Sequence, residues 1–445
     1  MPRISVLTAL VLFCGSLFPF VSLAQSGPGS TAVTGGALQG TILVFPFEND
    51  SRIAALDWLG EGLAEITVER LESRGINVLA RAERLNVLQG MGVPSTAVIS
   101  RATMLKVAEQ ADADHVVFGR FVSDGKNVTI ETRVLHTSPP GLSDVFTQAS
   151  ALPNLLDAHA RLISRLICSL AAPGCAGGEG SAATGPFLSP RMETLEIFVQ
   201  GLVASEDQAR IRSLREAARL EPEWDRPPFE LGQIYFARRE CEAALPWLSR
   251  VPPNRPGGPE AGFKSGICHL LGNDFARAEA AFAALAQRLP NLPEVHNNLG
   301  VARLRQGKWN EAADGFERAR TLDSESPDYW LNLGLAKMAA KQPSAAVAPL
   351  RQALALQPAD RDARSILNLA LESLGRASEP AATAGETPSA NRNRPSTAEP
   401  SQEAFALARL ARVAMEIDLA AARTEAVSPA AEAAPQQTPR IGGRP

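Results

Sequence analysis

Apolar positions along this chain change rhythm as the sequence proceeds. Between residues 41 and 170, short apolar runs alternate with stretches of helical spacing. Ile42-Leu43-Val44-Phe45 is an unbroken apolar run of the kind found in a strand covered on both faces. Leu59, Leu63, Ile66 and Leu71 then recur near helical spacing, which predicts a helix over 56–74 with Gly75 as its C-cap. A second strand is expected at 76–79, and helices at 81–88 and 102–110. Residues 115–122 and 128–135 read as a hairpin turned by Asp124-Gly125. A strand at 144–149 and a helix at 155–170 complete the unit. Beyond a Gly/Ala/Pro-rich stretch at 171–190, the strand signals cease and only helical spacing remains.

That second region repeats itself every 34 residues. With blocks starting at Arg191, Asp225, Pro259, Pro293 and Pro327, position 8 holds Phe198, Gly232, Gly266, Gly300 and Gly334. Position 20 holds Arg210, Ala244, Ala278, Ala312 and Ala346, and position 32 holds Pro222, Pro256, Pro290, Ser324 and Pro358. Small residues at 8 and 20 let two helices approach, while proline at 32 ends the second one. The pattern resembles the tetratricopeptide repeat (TPR). The last block fits most fully, with Trp330, Leu333, Gly334, Ala346, Ala353 and Pro358. The first departs most, as a terminal capping repeat would, and 361–375 is expected to close the array as a helix.

The resemblance implies a concave groove lined by positions 2, 5, 9, 12 and 13 of each first helix. Carried over, these are Leu195, Val199 and Leu202, then Phe229, Gln233 and Phe236, then Phe263, Ile267 and Leu270. Asn297, Leu304 and Arg305 follow, then Leu331, Leu335 and Met338. Such a surface is mostly apolar and suits a peptide or amphipathic helix. The competing reading is that several of these residues are core.

Residues 41–139 resemble the TolB-like amino-terminal domain and the related CsgG and FlgO envelope families. The segments that carry this are ILVFPFEND (42–50), WLGEGLAEITVERL (58–71), INVLARAERLNVL (76–88) and AEQADADHVVFGRF (108–121). The resemblance implies a mixed α/β fold in a cell-envelope setting and brings no catalytic residue. The fold class expected is therefore α+β multidomain. A small mixed α/β domain (41–170) precedes an all-α TPR solenoid (191–375), and a largely disordered tail (376–445) follows. Within that tail, 403–423 carries Ala406, Leu407, Leu410, Val413, Ala414 and Ile417 on one helical face, with Arg412 and Glu416 paired away from it. This predicted helix has three uses open to it: packing into the groove in cis, binding a partner, or lying on a membrane surface.

Composition narrows the function class. A net charge of −4 over 445 residues advertises no nucleic-acid partner. Arg3, an apolar stretch and Ser22-Leu23-Ala24 read as a signal peptide over 1–24, followed by a flexible lead-in at 25–40. Export to the periplasm or envelope, with no integral span after signal removal, is the expectation. The remaining cysteines, Cys168, Cys175, Cys241 and Cys268, then permit disulfides in three connectivities, or stay as buried thiols. Sequence proximity favours Cys168 with Cys175, and repeat geometry favours Cys241 with Cys268.

Candidate chemistry is thin. Gly60-Glu61-Gly62 reads as a helix start rather than a phosphate loop, and Asp112, Asp114 and His115 as a polar turn rather than a metal site. No nucleophile, metal or cofactor motif is recognisable. The expectation is a non-enzymatic adaptor or scaffold without cofactor, holding a protein or peptide partner in its TPR groove. The alternative is a structural component of a secretion or assembly apparatus, a homo-oligomer built through the α/β domain.

Overall fold

The computed structural model describes residues 40–94, 97–170, 189–375, 408 and 411–415. The expected signal peptide, most of the lead-in, Cys175 and most of the tail lie outside them.

The first unit runs β1 (Thr41–Val44), β2 (Glu48–Asn49), α1 (Trp58–Glu72), β3 (Asn77–Val78), α2 (Arg81–Gly90) and α3 (Arg101–Gln110). It continues through β4 (His115–Ser123), β5 (Asn127–His136), β6 (Gly141–Leu142), β7 (Phe146–Ala151) and α4 (Leu155–Leu170). The sheet order is β3-β1-β4-β5-β6, with β2 beside β4 and β7 beside β5. β1 runs parallel to both β3 and β4, while β4 and β5 form an antiparallel hairpin from His115↔His136 to Ser123↔Val128. At its tip Asp124 Oδ1 accepts from the backbone N–H groups of Lys126 (2.8 Å) and Asn127 (2.6 Å). Those bonds hold its carboxyl down at about 2.

Alternation along β1 explains its unbroken apolar sequence. Ile42 and Val44 face Ala64, Val68 and Leu71 of α1 and Ile163 and Leu166 of α4. Leu43 and Phe45 face Leu88 of α2 and Met104, Val107 and Ala108 of α3. The sheet is thus covered on both sides.

The second unit is helical: α5 (Met192–Val203), α6 (Asp207–Leu220), α7 (Arg226–Ala237), α8 (Cys241–Leu248), α9 (Gly258–Leu271) and α10 (Phe275–Arg288). Then come α11 (Pro293–Arg305), α12 (Trp309–Leu322), α13 (Pro327–Ala339), α14 (Pro343–Leu356) and the closing α15 (Arg361–Ser373). The repeated glycine has a steric cause. A Cβ on Gly232, Gly266, Gly300 or Gly334 would come within 2.4, 2.6, 2.7 or 2.5 Å of Leu248, Phe282, Phe316 or Leu350. In each pair the bulky residue stands on the second helix and the gap on the first. The first repeat keeps the fit by other means: Phe198 packs on Trp224 with ring centroids 4.8 Å apart, and Gly201 faces Leu214 instead. Position 4 also recurs. His296 Nε2, Trp330 Nε1 and Arg364 Nη2 meet the carbonyls of Pro290, Ser324 and Pro358, each six residues back at the preceding turn.

Cys241 and Cys268 are disulfide-bonded, tying the start of α8 to α9 across 27 residues. Cys168 is disulfide-bonded too.

The two units share a core. α1 is buried nearly all round, between the sheet and the first repeat. Ile66 and Leu156 join Leu195, Phe198, Val199 and Trp224 in one apolar cluster. Polar groups are enclosed with them: Trp224 Nε1 donates to Glu69 Oε2 at 3.3 Å, and Arg226 pairs with Glu65 at 2.8 Å.

Candidate functional site

In the last two repeats, three asparagines stand within helices. Asn298 and Asn332 occupy the same block position one repeat period apart, on α11 and α13, and Asn297 lies beside the first. Asparagine is a weak helix former because its amide competes for backbone hydrogen bonds. These amides find backbone to bond, but it belongs to a distant part of the chain.

That part is residues 411–415. Asn332 Nδ2 donates to the Arg412 carbonyl at 2.8 Å, and the Arg412 N–H donates to Asn332 Oδ1 at 2.9 Å. Asn298 repeats the arrangement on Ala414, donating to its carbonyl at 2.8 Å and accepting from its N–H at 2.9 Å. One amide orientation alone satisfies both bonds of each pair, so the contacts fix one another. Asn297 links the pairs: its Nδ2 donates to the Arg412 carbonyl at 3.0 Å, and its Oδ1 accepts from Asn332 at 2.8 Å. All three side chains are buried with the segment in place.

Pairing of alternate residues along one edge is what a β-strand offers its neighbour. The segment runs from the last repeat toward the fourth, opposite to the order of the repeats. Residues 411–415 show no helix. At 411–415 this corrects the expectation of a helix through 403–423; Ala408 is helical, and the remainder lies outside the described residues. A helix spends its backbone groups on itself, whereas here those of Arg412 and Ala414 are given to the asparagines. Arg412 also turns to Asp328 and Asp360. Ala408 is fully buried, and Ala411, Val413 and Ala414 are half-buried against the same core.

The Arg412 guanidinium bridges two helix starts. Nη1 reaches Asp328 in the first turn of α13 at 2.5 Å, and Nη2 reaches Asp360 at 2.7 Å, with Asp362 at 3.6 Å. Asp360 caps α15 with its other oxygen, accepting from the N–H groups of Asp362 and Ala363 at 3.0 Å each. Burial works against the charge on Arg412, but the carboxylates of Asp328 and Asp360 outweigh it and raise its pKa above the ordinary value.

Of the positions assigned to the groove from repeat spacing, Leu195, Val199, Leu202, Phe229, Phe263, Ile267, Leu270, Leu304, Leu331 and Leu335 are buried, Leu195 and Val199 in a cluster with Ile66 and Leu156 of the α/β unit. Gln233 accepts from Lys264, which lies over the Phe236 ring, and Arg305 stacks on Phe275. Met338 packs at the edge of the core. Asn297, also of that set, hydrogen-bonds the docked segment. Asn298, Asn332, Asp328 and Asp360 were missed, although a polar residue recurring mid-helix in adjacent blocks was visible.

Two earlier readings of other residues can be placed. Asp114 Oδ2 accepts from the Thr41 N–H at 2.7 Å and so serves the strand entry. Gly60 and Gly62 lie in the first turns of α1. Among the described residues no three His, Cys, Asp or Glu side chains are grouped to hold a metal. No helix among them is long and apolar enough to cross a membrane.

The tetratricopeptide repeat family model matches residues 260–291, which span most of α9 and α10. No curated protein matches the chain. Among solved structures, a MamA fragment from Desulfovibrio magneticus RS-1 is similar at 19% identity, covering 38% of this chain and 96% of that one, with a TM-score of 0.34. YrrB, described as a TPR protein with an unusual peptide-binding site, is similar at 15% identity, covering 38% and 89%, with a TM-score of 0.36. The Arabidopsis OM64 TPR domain shares 18% identity over 26% and 94%, with a TM-score of 0.25. The tetratricopeptide repeat match thus falls within a helical region that follows a mixed α/β unit.

Proposed function

We propose that this chain is a non-catalytic binding protein whose TPR solenoid holds an extended polypeptide segment by its backbone. One observation carries the reading: Asn298 and Asn332 each grip both the N–H and the C=O of a single residue, on alternate residues of one segment. Backbone recognition of this kind tolerates varied side chains, as strand addition does. The signal-like start and the resemblance of residues 41–139 to TolB-like and CsgG-like domains support an exported adaptor of the cell envelope. In that role the α/β unit supplies a second surface.

The test uses the full chain carrying Ala414→Pro, which removes the N–H that Asn298 accepts and frees the groove. A labelled peptide of residues 403–423 should bind this variant. Adding Asn298→Ala and Asn332→Ala should abolish binding while circular dichroism stays unchanged. Retention of the peptide by the folded triple variant would overturn backbone recognition.

A further inference from the structure

We propose that the groove selects an extended segment bearing arginine at the residue held by Asn332. Residues 411–415 are then a built-in occupant that a partner segment of the same chemistry must displace. The inference rests on the segment-binding reading above and adds what that reading lacks: a side chain the site requires.

One end of the groove is acidic. Asp328, Asp360 and Asp362 come from the starts of two helices and converge on one guanidinium. Carboxylates in first turns are common, because the amino-terminal end of a helix favours negative charge. That ordinary explanation covers Asp362, which is half exposed, and would cover Asp328 alone. It does not cover Asp360, which is 4% exposed. Its Oδ1 caps α15, while its Oδ2 is turned away from that helix toward Arg412. A buried carboxylate oxygen without a cation is costly, so the site asks for positive charge whenever the groove is closed over.

The geometry further asks for arginine over lysine. Nη1 and Nη2 engage different carboxylates, Asp328 and Asp360, on two different helices. A planar fork spans two such acceptors, whereas an ammonium offers one point of charge. An acidic residue at that place would face three carboxylates and be rejected. The neighbouring residues make weaker demands: Ala411, Val413 and Ala414 are small or medium-sized and half-buried.

Because the occupant belongs to the same chain, it competes at a high effective concentration, and an external segment meets a groove already filled. Removing arginine from the internal copy should therefore open the site, while removing it from the external copy should weaken binding.

The experiment measures fluorescence anisotropy of a labelled peptide of residues 403–423 against the full chain and its Arg412→Glu variant. The peptide should bind the variant about tenfold or more tightly than the unaltered chain. On the variant, peptides carrying Arg412→Lys or Arg412→Ala should lose about tenfold or more, with the larger loss for alanine. Placing Asp328→Asn in the Arg412→Glu chain should shrink the gap between the arginine and alanine peptides, and this exposed change leaves the fold intact by circular dichroism. Equal binding of the arginine and alanine peptides would overturn the selection of arginine and leave backbone recognition standing. No binding of any peptide to the folded variant would overturn both.

Discussion

At its first repeat the solenoid is covered by side chains, and at its last two repeats by a backbone. Phe198, Trp224, Leu195 and Val199 meet Ile66 and Leu156 from the α/β unit in one apolar cluster. Each such side chain, once exposed, returns about 1.5–3 kcal/mol of transfer free energy to water. Around Asn298 and Asn332 the contacts are hydrogen bonds and one ion-paired arginine, with small apolar side chains beside them. Water can replace hydrogen bonds, so each contributes only about 0.5–1.5 kcal/mol net. The same helical scaffold thus carries one closure built to persist and one built to exchange. What separates them is whether the covering groups have a good alternative in solvent.

The most damaging way to break the persistent end is Trp224→Ala. It leaves a cavity between the units and should cost about 3–5 kcal/mol in urea denaturation, splitting a shared transition into two. A loss under about 1 kcal/mol would show that the cluster is not the joint. Next comes the pair Cys241→Ala and Cys268→Ala, which opens a loop of 27 residues. The solenoid should lose about 3–4 kcal/mol by the chain-entropy account. That loss should appear in its transition and leave residues 411–415 as protected from hydrogen exchange as before.

A third change sharpens the contrast by charge. Glu69 lies inside the joint, where burial pushes its carboxyl up to about 8 from an ordinary 4.5, with Arg226 opposing and Asp225 adding to the rise. Arg226 is already shared with Glu65 at 2.8 Å and Glu230 at 3.8 Å, so it cannot neutralise every acid around it. A raised carboxyl holds its proton more tightly when folded. Its contribution is complete below pH 4.5 and is lost as pH climbs through 8. Glu69→Gln, which still accepts from Trp224, should raise Tm at pH 9 and leave it unchanged at pH 4.5. An equal shift at both values would mean that Glu69 does not titrate in the joint.

The two closures were unequally legible in the sequence. The strand and helix alternation of the first unit and the 34-residue repeat rest on apolar periodicity, which packing enforces at every turn. Cys241 and Cys268 were paired from that same period. Repeat spacing assigned the groove lining to mostly apolar positions, ten of which are buried, and passed over the asparagines and aspartates that meet residues 411–415. Residues 403–423 carry helical spacing, yet 411–415 follow another pattern. Backbone pairing with a distant asparagine leaves no mark on local periodicity. The available signal was Asn298 and Asn332 at one block position, each two residues before the repeat glycine.

The smallest expected effect tests the exchangeable end itself. Asn332→Ala strips the docked Arg412 N–H of its partner, leaves the Arg412 carbonyl with Asn297 Nδ2 alone, and leaves Asn297 Oδ1 without its donor. Leaving buried polar groups unmade costs about 1–3 kcal/mol each where they have no escape. Here they have one: the segment can leave, and water then satisfies Arg412, Asn297 and Asn298 together. The global penalty is therefore capped at the free energy of docking, however many bonds the substitution breaks. Trp224→Ala has no such cap, because its cavity cannot be relieved without parting the two units. Asn332→Ala should shift global stability by less than about 1 kcal/mol, while the amides of Arg412 and Ala414 lose their protection from hydrogen exchange. Retained protection at those two amides, or a global loss approaching that of Trp224→Ala, would show that the segment is a fixed part of the core.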